Sequence, residues 1–324
     1  MELLFVIQPN EILTSIKFKD IYFTPEYGQA CEYSDNAIWE CCIYKDLIYV
    51  YLKKPYKFGN DTYFDLITPY GYSGYYFEKE TTFKEFIPLF REKAVKLNYI
   101  TEVVRQNPYI NITITDYDII TSKTTVGVKL SDFNTLDNYL QNTHKDHKRG
   151  FNIALQNNLL FKMEKYNKET VTSFKNIYDA NMNNLSSSQY YYFNDAYYNI
   201  LDKLSEHVFF ANVYKGSKLI ASCMIFKYDD RLHYHLGGSL LEYRYLRPNN
   251  FIHCKIIEYG ILHKFQLYHL GSGLTEKDTL YTFKNKISNI QFDYIIYKNV
   301  LNKDIYDQIT KISPENDGYF PIHR

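Results

Sequence analysis

Several residues that could do chemistry crowd one strand–turn–helix passage, "HYHLGGSLLEYRYLRPNNF", His233 to Phe251. The strand-like run is expected to end near Arg244. Arg247, Pro248, Asn249 and Asn250 then open a helix, with Pro248 where a missing N–H does no harm. A helix start carries unpaired N–H groups and the positive end of the backbone dipole, and together these attract a phosphate or carboxylate. Arg244 and Arg247 would deepen such a site by bidentate contacts; the structural alternative is a capped helix flanked by two solvated arginines. Gly237 and Gly238 lie in the preceding strand, where glycine marks a bulge or a close approach. A bulge there could aim an N–H at the oxyanion of an acyl transfer. An attacking ammonium must also lose a proton. Glu242 and Asp65 are candidate bases, although either could be a solvated or salt-bridged carboxylate. His233 and His235 alternate on one strand face, but no third ligand stands nearby and no metal site is expected.

A second passage, "YHLGSGLTEKDTLYTFKNKIS", sets the bare backbone of Gly271, Ser272 and Gly273 ahead of a helical-looking segment carrying Lys284. On spacing alone Lys284 reads as a surface lysine. In "TPYGYSGYY", Tyr70 and Tyr72 flank Gly71, either as a lip that stacks on an acceptor or as a packed strand corner. The basic run "HKDHKRG", His144 to Gly150, is either a phosphate contact or a solvated face.

The elements that must position these residues form a mixed α/β pattern. "WECCIYKDLIYVYLKKPY" reads as a hairpin turning at Lys45-Asp46, and Phe83 to Asn98 has apolar residues at helical spacing. Asp132 to Asn158 reads as one helical join with Asp132 or Asn134 as N-cap. The second half has two helices and then three strands turning at Lys215-Gly216 and Asp229-Asp230. The Pro248 helix, strand "LYHL", strand "FDYIIYKNV" and a last helix from Asp304 complete it. Each half repeats a meander, a helix and a further strand, which predicts two domains, 1–142 and 143–324, with the donor site in the second.

Bulk properties narrow the class. The 324 residues suit about two domains, and 45% hydrophobic with 23% charged residues is ordinary for a globular protein. Lys plus Arg and Asp plus Glu number 37 each, so no global field draws the chain to nucleic acid or an anionic membrane. The 35 tyrosines accompany abundant Asn, Ile, Lys and Phe, a bias that AT-rich codons would produce. Five cysteines without framework spacing predict buried, reduced thiols in the cytoplasm. The start, "MELLFVIQPNEIL", reads as neither a signal peptide nor a membrane span. No P-loop, dinucleotide fingerprint, HExxH or GxSxG is visible.

Five pieces in order, "TPYGYSGYY", "HKRGFNIALQNN", "HYHLGGSLLEYRYLRPNN", "HLGSGL" and "LYTFKNKIS", resemble the FemAB-like branch of the GNAT-type N-acyltransferases. The resemblance implies two tandem GNAT-like domains and transfer of an acyl or aminoacyl group to an amine on a cell-wall or surface-polysaccharide precursor. It implies that Gly271–Gly273 form a backbone loop at the active cleft and that Lys284 points at donor or substrate, offsetting developing charge. No bound cofactor is implied, only a co-substrate, acyl-CoA or aminoacyl-tRNA. Partners would be a nucleotide- or lipid-linked envelope precursor and, for the second donor, tRNA. The sequence departs from the pattern at Arg247–Phe251, which lacks the glycines of acetyl-CoA enzymes, and at Ser272 inside the usual triple glycine. Two other readings stay open: acetyl-CoA-dependent N-acetylation of an amino sugar, and a homologue that binds a precursor without turnover.

Overall fold

The computed structural model describes residues 2–7, 13, 16–18, 20–110, 112, 114, 117–185, 188–275, 277–313 and 319–324. The chain forms two compact units, one of residues 1–18, 22–122 and 293–324, the other of residues 19–21 and 123–292. The compact units therefore do not divide at residue 142. The first is assembled from both ends of the sequence, because a strand near the C-terminus pairs with one near residue 100.

The first unit begins with β1 (Leu4–Val6), α1 (Pro25–Asp35), β2 (Ile38–Tyr44), β3 (Leu47–Phe58), β4 (Asp61–Ile67), β5 (Gly74–Tyr76), α2 (Glu80–Lys96) and β6 (Tyr99–Arg105). The β2–β3 hairpin turns at Lys45-Asp46, as the alternation predicts. Pro69–Gly71 ends β4; then α2 crosses over and β6 runs parallel to β4.

The second unit holds most of β7 (Asp118–Lys129), then α3 (Leu136–Asn142), α4 (Lys145–Gln156), β8 (Leu159–Lys165), α5 (Lys168–Asn184) and α6 (Asp195–Leu201). The meander β9 (Val208–Lys215), β10 (Lys218–Tyr228) and β11 (Arg231–Ser239) follows, then α7 (Pro248–Leu262), β12 (Leu267–Gly271) and α8 (Thr279–Asn285). The join is two helices rather than one. The Thr135 and His144 side chains each accept a backbone N–H at a helix start, so Thr143 interrupts the run instead of Asp132 or Asn134 capping it. β11 stops at Ser239, before Arg244, and a 3-10 segment, Leu241–Leu246, leads into α7. Again an antiparallel meander, a helical crossover and a parallel strand follow one another: β12 runs parallel to β11.

β13 (Ile290–Val300) and α9 (Lys303–Thr310) come last. Ile296–Val300 of β13 pair antiparallel with Thr101–Arg105 of β6. In the first unit the strand order is β1-β2-β3-β4-β6-β13, with β5 beside β3; in the second it is β7-β12-β11-β10-β9-β8. Each unit has its own apolar core. One gathers Tyr49, Tyr75, Phe86 and Phe90, the other Phe151, Phe251, Ile256 and Tyr268. The five cysteines are free and buried. No described helix is long and apolar enough to cross a membrane.

Candidate active site

Helix α7 is apolar nearly all round and buried, which fixes its N-terminus against the sheet of the second unit. Its N-cap is Arg247, at φ +59°, the left-handed conformation that glycine adopts most readily. The glycine missing from Arg247–Phe251 is thus replaced in backbone geometry by an arginine. Its side chain does not cap the helix. With proline at N1, the N–H groups of the first turn face outward for an anion.

A cleft of about 380 Å³ opens at this helix start, lined by Arg149, Arg244, Arg247, Asn249, Asn250 and Lys286 among others. Lys286 is paired with Asp146, Nζ to Oδ2 2.7 Å, and Arg244 donates to Asn181 Oδ1 at 3.0 Å. Asn249 donates to Ser239 Oγ at 3.2 Å and Asn250 to His147 Nδ1 at 3.1 Å. His147 is buried, and desolvation with the nearby His144 lowers its pKa to about 4, so the ring is neutral. With Nδ1 accepting, its Nε2–H faces Cys254 Sγ at 3.2 Å. Burial pushes the Cys254 thiol far up, so this pair is packing rather than a nucleophile. Gly150 lets α4 approach: a Cβ there would lie 2.5 Å from Asn250 Cγ.

Strands β11 and β12 pair only at Arg231–His233 with Leu267–His269. Beyond that point β11 runs on to Ser239 and β12 to Gly271 without ladder pairs between them. Lys284 belongs to this region. Its side chain is only 6% exposed, Nζ donates to the Ser272 carbonyl at 2.8 Å and lies 5.1 Å from the Tyr234 ring centre. Burial lowers its pKa to about 8, with Asp278 and Cys223 holding it up. Gly271 closes β12 at φ +78°, and Ser272 Oγ donates to Thr124 O at 2.8 Å. Gly273 packs on Asp278, where a Cβ would lie 2.1 Å from Oδ1. The Asp278 carboxylate accepts N–H groups of Leu274, Thr275 and Tyr281 and so wraps the loop onto the α8 start.

The strand glycines mark close approach rather than a bulge. A Cβ on Gly237 would meet Tyr234 Oη at 2.5 Å and Cys223 Sγ at 2.8 Å; one on Gly238 would meet Asn181 Cβ of α5 at 2.8 Å. The extra residue in β11 is His235, since Met224 pairs with Leu236 and Ile225 with Tyr234. The buried His235 ring stacks on Phe226 and hydrogen-bonds the Tyr197 hydroxyl at 2.7 Å. Among the described residues no His, Cys, Asp and Glu side chains gather to hold a metal.

Both candidate bases are engaged by other partners. Glu242 is exposed and pairs with Lys218 at 3.7 Å. Asp65 belongs to the first unit, buried, accepting from Thr101 at 2.6 Å, His323 at 2.8 Å and Arg324 at 2.9 Å. Burial raises its pKa, but His323, Thr101 and Arg324 outweigh that and hold it below the usual carboxylate range. Tyr70, Gly71 and Tyr72 also lie in the first unit, as a packed corner. Tyr70 O accepts from Tyr27, Gly71 at φ +101° abuts the Tyr22 ring, and Tyr72 is edge-on to Tyr22 and Tyr294. Arg149 and Lys286 are cleft cations that spacing did not single out. Only the basic run around Arg149 hinted at one of them.

The family model described as an acetyltransferase (GNAT) domain matches residues 168–284. Among curated proteins, none matches the chain in sequence. Among solved structures, FemX superposes with a TM-score of 0.68 at 13% identity over 95% of this chain and 100% of its own. The C-terminal domain of a putative lysylphosphatidylglycerol synthetase from Agrobacterium fabrum gives 0.55 at 11% identity, covering 88% of this chain and 90% of its own. The L-PGS structure from Bacillus licheniformis gives 0.56 at 12%, covering 84% and 91%. At these identities the likeness is one of fold: along most of its length the chain has the tandem GNAT-like architecture of FemX.

Proposed function

We propose that this chain, a GNAT acyltransferase domain set in a FemX-like fold, is an N-acyltransferase that moves an acyl group from a phosphate-bearing carrier to an amine. The observation that carries this reading is the pairing of two features in the second unit. One is the cation-lined cleft at the α7 start; the other is Lys284, desolvated beside the ends of β11 and β12, which do not pair with each other. Helix α8 joins them, since Phe283 and Lys286 line the cleft and Lys284 lies between them in sequence.

In this reading the carrier's phosphates meet the first-turn N–H groups of α7 and the guanidinium of Arg247, with Arg149 and Lys286 adding charge. The acceptor amine attacks the acyl carbon and its electron pair forms the C–N bond. The carbonyl oxygen gains charge that the Lys284 ammonium offsets, and as the carbonyl re-forms the acyl C–S or C–O bond to the carrier breaks, its electron pair leaving on the carrier's sulfur or oxygen. The amine proton passes to solvent or to the departing carrier, because Glu242 is exposed and paired with Lys218 and Asp65 is engaged by Thr101, His323 and Arg324. The acceptor is an amine on an envelope precursor, in keeping with the resemblance to the FemAB-like branch.

Acyl-CoA is the first choice of donor, as expected of a GNAT domain. Aminoacyl-tRNA is the second, favoured by the glycine-free turn at Arg247 and by a fold neighbour named for lysyl transfer to a lipid. Thermal unfolding with CoA decides between them. At a hundredfold excess over Kd, CoA would stabilise the native state by about 2.7 kcal/mol, several degrees. That rise, abolished by Arg247→Ala, supports the acyl-CoA reading. No rise, with charged tRNA retained at low salt, moves the donor to tRNA. Failure of both, with no transfer to amines, leaves a precursor-binding homologue.

A further inference from the structure

The first unit has a cleft of its own, of about 370 Å³, that takes no part in the site above. Its floor is one face of the β4-β6-β13 sheet. Ile67 and Val103 are register partners on β4 and β6, and Lys298 is the partner of Val103 on β13, with Ile296 two residues along the same face. The opposite face, carrying Leu66, Val104 and Tyr297, packs into the core, so strand alternation turns this apolar row to the cleft, with Val103 buried at its floor. The segment Tyr319–Pro321 forms one wall and Ile119 with Ile120 another.

Two properties set this cleft apart. Its walls keep large apolar side chains in water: Ile119 is 55% exposed, Ile120 44% and Tyr319 62%. Three such residues converging on one hollow form the kind of exposed apolar patch that marks a binding site. Its rim is cationic: Lys54, Arg105, Lys298 and Arg324 against the single carboxylate of Asp65. That carboxylate is already engaged by His323 and Arg324. The Arg105 guanidinium is fixed by donating to Thr68 O at 3.1 Å, Lys54 is 4.0 Å from Asp35, and Lys298 Nζ lies 5.4 Å from the Phe320 ring centre.

We infer that this cleft binds a phosphate ester whose other end is an apolar chain, the phosphate held at Lys54, Arg105 and Lys298 and the chain laid along Ile67, Val103 and Ile119. An anion without a chain would leave the apolar walls wet, and a neutral chain would leave the rim unmatched.

Isothermal titration with octyl phosphate, below its micelle concentration, tests this. The protein carries Arg247→Ala and Lys286→Ala, which weaken the second-unit cleft, and the loss of binding on substituting first-unit residues assigns the signal to this cleft, so a failure here is separate from a failure of the proposed acyl transfer. Octyl phosphate is expected to bind at least tenfold tighter than inorganic phosphate or octyl glucoside. Lys298→Glu and Ile119→Asp should each weaken it at least tenfold; both change side chains at the surface, and if either fails to fold, Lys54→Gln carries the same expectation. Equal affinity for inorganic phosphate or for octyl glucoside overturns the inference, as does binding that survives these substitutions.

Discussion

Replacing Lys284 by methionine separates the two things that a buried ammonium does. In the folded chain its pKa is about 8 against an ordinary 10.5, so burial disfavours the charged form. A folded-state pKa below the unfolded one means that the unfolded chain binds more protons between those two values. Stability from this group therefore rises with pH across that window, and is at its lowest below pH 8. The difference of about 2.5 units corresponds to a penalty of about 3 kcal/mol at neutral pH, most of it gone by pH 10. Methionine has a similar volume and no charge. It also leaves the Ser272 carbonyl without its donor, costing about 1–3 kcal/mol at every pH. Because that second term does not titrate, the pH dependence of the difference isolates the first. Urea unfolding of both proteins at pH 7, 8, 9 and 10 should show the wild type gaining about 2–3 kcal/mol relative to Lys284→Met over the range, while transfer activity in the variant collapses. A constant difference would mean that Lys284 keeps an ordinary pKa and is solvated. Full activity in the variant would remove it from the chemistry.

Two further substitutions probe the α7 start. Arg247→Gly removes the left-handed strain at φ +59°, worth about 1–2 kcal/mol, against a similar entropic cost of glycine. Its melting temperature should therefore stay within about 2 °C of wild type. Arg247→Ala keeps both the strain and the smaller backbone entropy of a non-glycine residue and should also melt close to wild type, while both variants should weaken donor binding about tenfold or more by loss of a charged contact; an alanine variant that melts several degrees away from the other two would refute the strain argument. Gly150→Ala drives a methyl into Asn250 and should cost about 1–3 kcal/mol by denaturation. It should also weaken donor binding through the displaced Asn250, and an unchanged dissociation constant would show that Asn250 does not matter.

What the sequence disclosed was mostly local. The hairpins at Lys45-Asp46 and Asp229-Asp230 announce themselves because turn-forming residues interrupt β-rich runs. Helix α7 is legible because proline is harmless only at its first turn. What escaped depends on pairing across long separations. Nothing in Asp293–Val300 tells a reader that it lies beside β6 rather than beside a strand near it in sequence. Asp65 looks like a spare carboxylate until His323 and Arg324, about 260 positions away, are seen to occupy it. Glu242 is a candidate for its place beside an expected glycine bulge; with β11 ending at Ser239, it falls on an exposed 3-10 turn. Lys286 reads as one more surface lysine until the fold sets it beside Asp146 in the cleft wall, 140 positions away in sequence.

The division of the first unit between the two ends of the sequence has a consequence for biosynthesis. As the polypeptide leaves the ribosome, residues 22–122 emerge before residues 293–324 and so lack the strand that flanks β6 and the two side chains, His323 and Arg324, that engage Asp65. They must wait, incompletely closed, while residues 123–292 appear and can already fold as one nearly continuous stretch. The usual order, in which the N-terminal part matures first, is thereby inverted. Translational pausing or truncation before residue 293 would strand the older of these two units in the nascent protein, not the newer one.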